Sequence, residues 1–160
     1  MEFTALLKEL SGAVESGDGR RLAALFTPDG VYHDGFYGEC KGSQAIREML
    51  EQRYYRDAEK YLWDFFEPVS DGKTGYAKWA FSYTSKMPEN AGKRVAFEGV
   101  SQFELSGGKF RHYWEVFNSG VAFVQMGHEP ARMVKIFRRQ ADALHGQERF
   151  KRHFAGQARV

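Results

Sequence analysis

Apolar side chains near the start of the chain recur at the three- and four-residue spacing of an amphipathic helix. This spacing predicts a first helix over residues 3–16 and a short second helix over residues 20–26, with Asp18 as the N-cap of the second. Proline, aspartate and glycine at residues 28–30 predict a turn. The β-branched and aromatic composition of residues 31–36 then predicts a first short strand.

A longer apolar stripe follows Gly42 and predicts a third helix over residues 43–62, with Ser43 as its N-cap. From Leu62 onward the apolar positions alternate, which is typical of strands. Residues 106–108, Ser-Gly-Gly, supply the positive φ angles of a tight hairpin turn. We therefore expect a run of antiparallel strands over residues 62–69, 75–87, 94–105 and 109–121. Helices followed by such strands predict an α+β fold with the helices packed on one face of the sheet.

The last fifth of the chain is basic and has a helical pattern. Pro130 fits the first turn of a helix that ends or kinks near Gly146. Residues 128–160 carry eight Lys or Arg against three Asp or Glu, a net charge of +5. We divide the chain into a domain over residues 1–127 and a basic helical extension over residues 128–160. The charge is explained either by a solvated helix face or by a surface for acidic partners, and we do not expect nucleic acid to be that partner.

Composition adds one feature, because aromatic residues make up 16% of the chain. A chain of 160 residues fits one domain and buries enough surface to fold without disulfides. No apolar run reaches the roughly 18 residues of a membrane span, and the first residues lack the pattern of a signal peptide. We therefore expect a cytoplasmic protein with no membrane partner, whose interior holds many large, flat side chains.

The sequence offers little for cofactor or metal chemistry. Cys40 is the only cysteine, so it cannot form an internal disulfide. No glycine-rich phosphate loop follows a strand, and no group of residues has the spacing of metal ligands. His33 and His112 would lie on the strand faces opposite the aromatic rows described below. We therefore expect no cofactor and no metal.

Three stretches carry a family resemblance. Residues 15–26 hold a Gly-Asp pair followed by Leu-x-x-Leu-Phe. Residues 29–34 form a predicted short strand, and residues 42–47 begin with a glycine that introduces a helix. Residues 107–127 begin with a Gly-Gly hairpin. In this order they resemble the NTF2-like superfamily, in the branch that includes SnoaL-like proteins and ketosteroid isomerase. The resemblance covers residues 3–127 and leaves out the final helix.

The resemblance implies an NTF2-like cone, in which N-terminal helices pack on a curved antiparallel sheet, here with an extra C-terminal helix. It also implies a homodimer formed through the sheet. This fold supports isomerases, cyclases, epoxide hydrolases, dehydratases and binding modules that are not enzymes. Architecture alone therefore does not decide the activity.

Asp34 is the first candidate catalytic residue, because the resemblance places it where ketosteroid isomerases keep their general base. A carboxylate in an apolar cone has a raised pKa and accepts protons better. The alternative is an aspartate that binds loop amides before Gly35. The family's hydroxyl donor and its protonated acid fall on Leu10 and Gly99, so we do not expect a steroid isomerase.

Alternation along the strands assigns partners to Asp34, because every second side chain shares a face. Tyr32 should point the same way. One strand carries a row at Trp79, Phe81 and Tyr83. The last strand carries a row at Tyr113, Glu115 and Phe117, set against Arg111 nearer the hairpin. These rows either line a pocket or simply fill the core.

Two further residues at the end of the last strand bear on the chemistry. Glu115 is a candidate second acid or base, since a carboxyl among aromatic rings is costly to bury unless it is paired or protonated. Its alternative position is the solvent or dimer face of the strand. Asn118 stands where SnoaL-like enzymes often carry an acidic residue, which leaves a neutral ligand-binding group and weakens a cyclase assignment.

We interpret the chain as a small-molecule-binding protein or a cofactor-independent enzyme, and the sequence does not decide between them. The chemistry would be proton transfer of the isomerase, cyclase or hydratase kind on an apolar ligand, for which an aromatic or polycyclic compound is one candidate. The alternative is a non-catalytic module that dimerises through its sheet and holds a protein partner.

Overall fold

The structure of the protein is a computed structural model that describes residues 2–156. These residues form two compact units, one that ends at Met126 and one that begins at Gly127. The first unit contains, in chain order, α1 (Phe3–Ser16), α2 (Gly19–Ala24), β1 (Phe26–Asp34), β2 (Gly38–Lys41), α3 (Gly42–Glu48), a π-helical segment (Met49–Tyr54), α4 (Tyr55–Asp57), β3 (Ala58–Ser70), β4 (Thr74–Ser85), a 3-10 turn (Pro88–Asn90), β5 (Arg94–Ser106), β6 (Lys109–Phe117) and α5 (Ser119–Met126).

The six strands form one mixed sheet in the order β2-β1-β6-β5-β4-β3. The β1 and β6 strands pair in parallel, and every other neighbouring pair is antiparallel. The expected α+β fold, with N-terminal helices and a mostly antiparallel sheet, is therefore confirmed. The parallel pair brings residues from both ends of this unit to the middle of the sheet.

The α1 helix packs its apolar stripe on the inner face of the sheet. Its buried side chains are Phe3, Leu6, Leu7, Leu10, Ala13 and Val14. Gly75 on β4 leaves room for Phe3, since a Cβ at that position would lie 2.5 Å from the phenylalanine ring. As predicted, Asp18 caps α2, with its carboxylate accepting the Arg21 amide at 2.9 Å. These helices exclude solvent from the part of the inner face that α1 covers.

The third helical region differs from the predicted helix over residues 43–62. Its regular part ends at Glu48 and is followed by a π-helical segment, and the strand β3 already begins at Ala58. The apolar residues near its end misled the prediction, because Leu62 is exposed on the outer face while its neighbour Tyr61 is buried. Ser43 does not cap the helix; the N-cap is Lys41, without a side-chain hydrogen bond.

The first strand is longer than predicted and contains the expected turn at residues 28–30. The pairing of β1 with β6 is irregular between Phe26 and Val31, so these turn-forming residues bulge within the strand instead of preceding it. The short strand β2 then folds back on β1, with Asp34 opposite Gly38. The pattern of residues did not predict β2.

The end of the sheet also differs from the predicted strand over residues 109–121. The last strand ends at Phe117, and α5 follows. Beyond the end of β6 the edge of β5 is covered by Gln125, whose amide group donates to the Ala96 oxygen at 2.7 Å and accepts its N–H at 2.9 Å. A helix thus supplies the hydrogen bonds that a longer strand would have made.

The second unit contains α6 (Pro130–His145), a 3-10 turn (Glu148–Phe150) and α7 (Lys151–Phe154). The helix α6 starts with proline and is followed by Gly146, as the sequence predicted. Across residues 2–156, none of the helices has the length and apolar character needed to cross a membrane.

Candidate active site

Asp34 is buried at the end of β1, with 3% of its surface exposed. One carboxylate oxygen, Oδ1, accepts the backbone N–H groups of Phe36 at 2.8 Å and of Tyr37 at 2.7 Å. The expected alternative, an aspartate that holds loop amides, is therefore confirmed as a structural role. The turn between β1 and β2 depends on this carboxylate.

The other oxygen of Asp34, Oδ2, accepts a short hydrogen bond from the hydroxyl group of Tyr54. Tyr54 is the last residue of the π-helical segment, and its own carbonyl accepts the hydroxyl of Tyr61 at 2.7 Å. The extra residue per turn in a π-helical segment changes the direction of the side chains that follow, and such segments are frequent at functional sites. Tyr54 belongs to the apolar stripe of the predicted third helix, which indicates a buried side chain but not what its hydroxyl binds.

Glu115 lies next to Asp34 on the neighbouring strand β6 and is only partly exposed. Its Oε1 accepts the Gly35 amide at 2.9 Å, and its Oε2 accepts the Tyr113 hydroxyl at 2.5 Å. Glu115 therefore points to the inner face and not to solvent or a dimer surface. Three successive amides, from Gly35 to Tyr37, bind the two carboxyl groups.

A further chain of hydrogen bonds reaches Glu115 across the sheet. The indole N–H of Trp79 donates to the Ser101 hydroxyl at 2.8 Å, and Ser101 lies 3.1 Å from the Tyr113 hydroxyl. All three side chains are buried. The predicted row on β4 and the predicted row on β6 therefore meet through Ser101, a residue that the sequence did not single out.

Burial and proximity determine the charge of the two carboxyl groups. Burial, together with the negative charge of Asp34, raises the pKa of Glu115 from an ordinary value of 4.5 to about 8. Burial also raises the pKa of Asp34, but the Tyr54 hydroxyl and two amides oppose this effect by stabilising its ionised form. Asp34 receives three donors and Glu115 two. At neutral pH we therefore assign the charge to Asp34 and the proton to Glu115.

The tyrosines around the carboxyl pair remain protonated donors. Burial raises the pKa of Tyr32, Tyr54 and Tyr113 well above the usual value. The rings of Tyr32 and Tyr113 lie 4.4 Å apart between their centroids. Hydroxyl groups that stay protonated can stabilise negative charge without themselves ionising.

At Gly35, the Glu115 carboxyl group and an aromatic ring occupy the space that a side chain would need. A Cβ at this position would lie 2.2 Å from the Phe117 ring and 3.2 Å from Glu115 Oε1. Only glycine lets the backbone approach so closely. The turn therefore bonds to Glu115 through its main chain.

An aromatic cluster lies beside the carboxyl pair. The Phe36 ring, which is 38% exposed, contacts the rings of Phe97, Phe117 and Phe123 edge-on, at centroid distances of 5.8, 5.2 and 5.8 Å. Phe81, Tyr83 and Phe117 also face inward but are only partly buried. Solvent therefore reaches this end of the inner face.

Two other residues considered in the sequence analysis, Asn118 and Arg111, do not lie at the carboxyl pair. Asn118 is exposed and caps α5, with its side-chain oxygen accepting the Gly120 amide at 3.0 Å. Arg111 leaves the inner face, since a bulge opposite Glu104 and Leu105 turns it outward and points Phe110 inward. The predicted row of Tyr113, Glu115 and Phe117 begins after this bulge.

Leu10 and Gly99, where the resemblance would place the isomerase's hydroxyl donor and protonated acid, have packing roles instead. Leu10 is fully buried. Gly99 lies opposite Trp79 in the sheet, and a Cβ there would come within 2.4 Å of the indole ring. Within residues 2–156, no three side chains of His, Cys, Asp or Glu are grouped so that they could hold a metal ion.

Comparison with known proteins gives the same picture of the fold. The family model of the SnoaL-like domain matches residues 7–113. No curated protein matches the chain in sequence. The fold is shared with solved structures at low sequence identity.

Three of these structures are similar over most of their length. A protein with a ketosteroid isomerase-like fold from Catenulispora acidiphila, solved with trimethylamine, has a TM-score of 0.70 at 16% identity, over 78% of this chain and 93% of that chain. An epoxide hydrolase from M. tuberculosis has a TM-score of 0.63 at 16% identity, over 76% and 86%. A proposed polyketide cyclase from Xanthomonas campestris has a TM-score of 0.64 at 18% identity, over 77% and 95%.

Proposed function

Since the chain belongs to the SnoaL-like domain family, we propose that it binds a small, largely apolar molecule at the inner face of its sheet and transfers a proton to or from it without a cofactor. The carboxyl pair formed by Asp34 and Glu115 is the observation on which this proposal rests. Cyclase and epoxide hydrolase are the activities named for two structural neighbours, and ring closure and the addition of water to an epoxide both require the transfer of a proton.

The geometry favours a division of roles between the two carboxyl groups. Asp34 is 3% exposed and its oxygens are occupied by three donors. Glu115 is more accessible and has a pKa of about 8, which suits a group that exchanges protons near neutral pH. In this proposal Glu115 is the acid, and Asp34 is the fixed anion that keeps Glu115 protonated.

The proton transfer balances without any other reagent. Neutral Glu115 gives its proton to an oxygen or carbon atom of the ligand, and the carboxylate left behind accepts the Gly35 amide and the Tyr113 hydroxyl. A proton lost by the ligand later in the same reaction, or one from water, restores the acid. Isomerisation, ring closure and addition of water all fit this cycle.

The aromatic cluster determines the class of ligand in this proposal. Partly exposed, inward-facing rings at Phe36, Phe81 and Phe117 suit a flat apolar skeleton. Within residues 2–156, the hydrogen bond of the Tyr83 hydroxyl goes to the weakly accepting sulfur of Met126, at 3.5 Å, so this hydroxyl is available to an oxygen of the ligand. We therefore expect an aromatic or polycyclic compound with a few oxygens.

A thermal-shift screen of aromatic and polycyclic compounds tests this proposal. At least one compound should raise the melting temperature of the wild type, because a ligand that binds only the folded state stabilises it by mass action. Turnover of each hit is then followed by chromatography at pH 7. Glu115→Gln should retain binding and lose turnover, since the amide keeps the shape but has no acidic proton.

Glu98→Gln is the matched control, because Glu98 is an exposed glutamate on β5 and the substitution makes the same chemical change. It should leave both binding and turnover unchanged. A screen in which no compound shifts the wild type contradicts the proposal and favours the non-catalytic module.

We also propose that the protein forms a homodimer through the outer face of its sheet. Several large apolar side chains are exposed there, and Val100 and Val116 are direct cross-strand partners. The apolar members of this face are Leu62, Phe66, Val69, Tyr76, Val100 and Val116. Contiguous apolar surface of this kind is typical of an interaction site.

Sedimentation equilibrium of the wild type and of Val116→Lys tests the dimer. The wild type should sediment as a dimer, and the lysine should weaken association by at least tenfold, because it places two like charges in an isologous interface. Val124→Lys, at an exposed position on α5, is the control and should sediment like the wild type. A monomeric wild type, or equal effects of both lysines, would contradict a sheet-mediated dimer.

A further inference from the structure

Six aromatic side chains form a closed circuit on the inner face of the first unit. Around this aromatic circuit, neighbouring rings lie 5.5–6.3 Å apart between centroids, and its first and last members are successive residues of the chain. Among the residues that the structure describes, no member contacts the ring on the opposite side of the circuit, so the rings surround a common space. The members, in order, are Phe36, Phe97, Tyr83, Tyr61, Tyr54 and Tyr37.

The aromatic circuit is exposed on one side and buried on the other. Phe36 is exposed, and Tyr37 and Tyr83 are partly exposed. Tyr54 and Tyr61 are buried. The exposed members therefore give a small ligand access to the buried ones.

The aromatic circuit is attached directly to the carboxylate of Asp34. The amides of Phe36 and Tyr37 donate to Oδ1 of Asp34 at 2.8 and 2.7 Å, and the hydroxyl of Tyr54 donates to Oδ2. Three of the six members thus bind one buried anion. Any charge inside the circuit lies close to this carboxylate.

No cationic side chain neutralises the carboxyl pair. Across residues 2–156, the ion pairs of lysine and arginine involve other acids, and neither Asp34 nor Glu115 takes part in one. Asp57, which accepts the Tyr37 hydroxyl at 2.7 Å, is neutralised by Arg56. With one proton between its two members, the pair keeps one negative charge. Burying a charge without a counter-ion costs free energy, even where hydrogen bonds offset part of it.

A cation inside the aromatic circuit would gain from both features. The faces of Tyr and Phe rings attract a positive charge. Attraction to a carboxylate is also stronger where water is excluded. Both oxygens of Asp34 already accept hydrogen bonds, so N–H groups of a ligand would find few acceptors there. An ammonium nitrogen that carries alkyl groups in place of hydrogens suits this site.

We propose that the aromatic circuit binds an alkylated ammonium group of the ligand, with Asp34 supplying the opposite charge. This inference rests on the proposed function for the location of the site, and it narrows the ligand to an apolar skeleton with one positive charge. Glu115 lies next to Asp34, so the atoms of the ligand that exchange a proton lie close to the ammonium group.

Titration of the ligand-free full chain with two matched probes tests the inference. One probe is choline, and the other is the neutral alcohol in which carbon replaces the choline nitrogen, so the shape is kept and the charge is lost. Binding is followed by nuclear magnetic resonance of the backbone amides at pH 7. Choline should bind at least tenfold more tightly than the alcohol. Equal affinities, or no binding of either probe, would overturn the inference.

Variants separate the contribution of the rings from that of the charge. Tyr83→Leu removes one ring face and should weaken choline binding by about fivefold, whereas Tyr83→Phe keeps the ring and most of the affinity. Asp34→Asn removes the charge and should bring the affinities for choline and the alcohol close together. If Asp34→Asn does not fold, the two variants of Tyr83 still decide the question.

Phe154→Leu is the matched control, because it makes the same aromatic-to-leucine change in α7, outside the aromatic circuit. It should leave the affinity for choline unchanged. An equal loss in Phe154→Leu and Tyr83→Leu, or no loss in Tyr83→Leu, would contradict binding in the circuit.

The pH dependence of binding gives a second readout. A cation beside the carboxyl pair favours the ionised form of Glu115 and lowers its pKa from about 8. Choline should therefore bind about threefold more tightly as the pH rises through this value, and the neutral alcohol should not. The other titratable groups that face Glu115 are Asp34, which is already ionised, and Tyr32, Tyr54 and Tyr113, whose raised pKa values keep them protonated. The same pH dependence for both probes counts against the inference.

This inference and the proposed function can fail separately. A preference for choline over the alcohol supports the cation site even if no compound is turned over, and in that case the proposed acid–base chemistry fails alone. A neutral compound whose turnover depends on Glu115, found together with equal binding of the two probes, supports the proposed function and rejects the cation site.

Discussion

Asp34→Ala is expected to lower the free energy of unfolding by about 3 kcal/mol, because it leaves one buried hydroxyl and two partly buried amides without their acceptor. Those donors are the amides of Phe36 and Tyr37 and the hydroxyl of Tyr54. For a unit of this size the loss corresponds to a melting temperature lower by about 10 °C. Urea unfolding followed by circular dichroism measures it directly.

Asp71→Ala is the matched control for this loss. Asp71 also accepts two successive backbone amides, from Lys73 at 2.9 Å and Thr74 at 2.7 Å, but it lies in an exposed turn between β3 and β4. Water can satisfy the amides that its removal frees, so its cost should be much smaller. Equal losses in the two variants would mean that burial of the Asp34 carboxylate contributes nothing.

The second large effect is on the pH dependence of stability. The pKa of Glu115 is about 8 in the folded protein and near its ordinary value of 4.5 in the unfolded chain. Between these values the folded protein holds a proton that the unfolded chain has released. Unfolding therefore releases a proton, and stability falls as the pH rises from about 5 to about 8, by at most ~1.4 kcal/mol per pH unit from this group.

Glu115→Gln should remove this contribution, because glutamine does not titrate. The variant should gain stability relative to the wild type as the pH rises through this window, and the difference should stop growing above it. Urea unfolding at pH 5, 7 and 9 gives the three values needed. Glu98→Gln should follow the wild type at each pH, and a Glu115→Gln difference that is constant from pH 5 to pH 9 would refute the raised pKa.

The sequence alone predicted which side chains of the strands share the inner face of the sheet. Side chains two positions apart share a face, which put Tyr32 with Asp34, and Tyr113 with Glu115. This rule fails where a strand is irregular. Strict alternation would turn Arg111 inward with Tyr113, but a bulge inserts one residue there and turns it outward, and no residue type in that stretch indicates a bulge.

The hydrogen bonds between elements were not predictable from the sequence. Tyr54 lies 20 residues from Asp34, and helical periodicity shows only that its side chain is buried. The length of the third helix was misjudged because Tyr61 and Leu62 continue its apolar stripe, although they lie in a strand. A tyrosine in an apolar stripe is nevertheless a usable signal, since its hydroxyl needs a partner when buried.

The parallel pairing of β1 with β6 has a consequence for how the chain acquires its carboxyl pair. Asp34 and Glu115 are far apart in sequence, and Tyr32 reaches its sheet partner Tyr113 only when the last strand of the unit arrives. Contacts of such long sequence separation form slowly, since a large loop must close first. During synthesis, Asp34 can therefore pair with Glu115 only after most of the unit has left the ribosome. A chain truncated before β6 lacks Glu115 and cannot form the carboxyl pair.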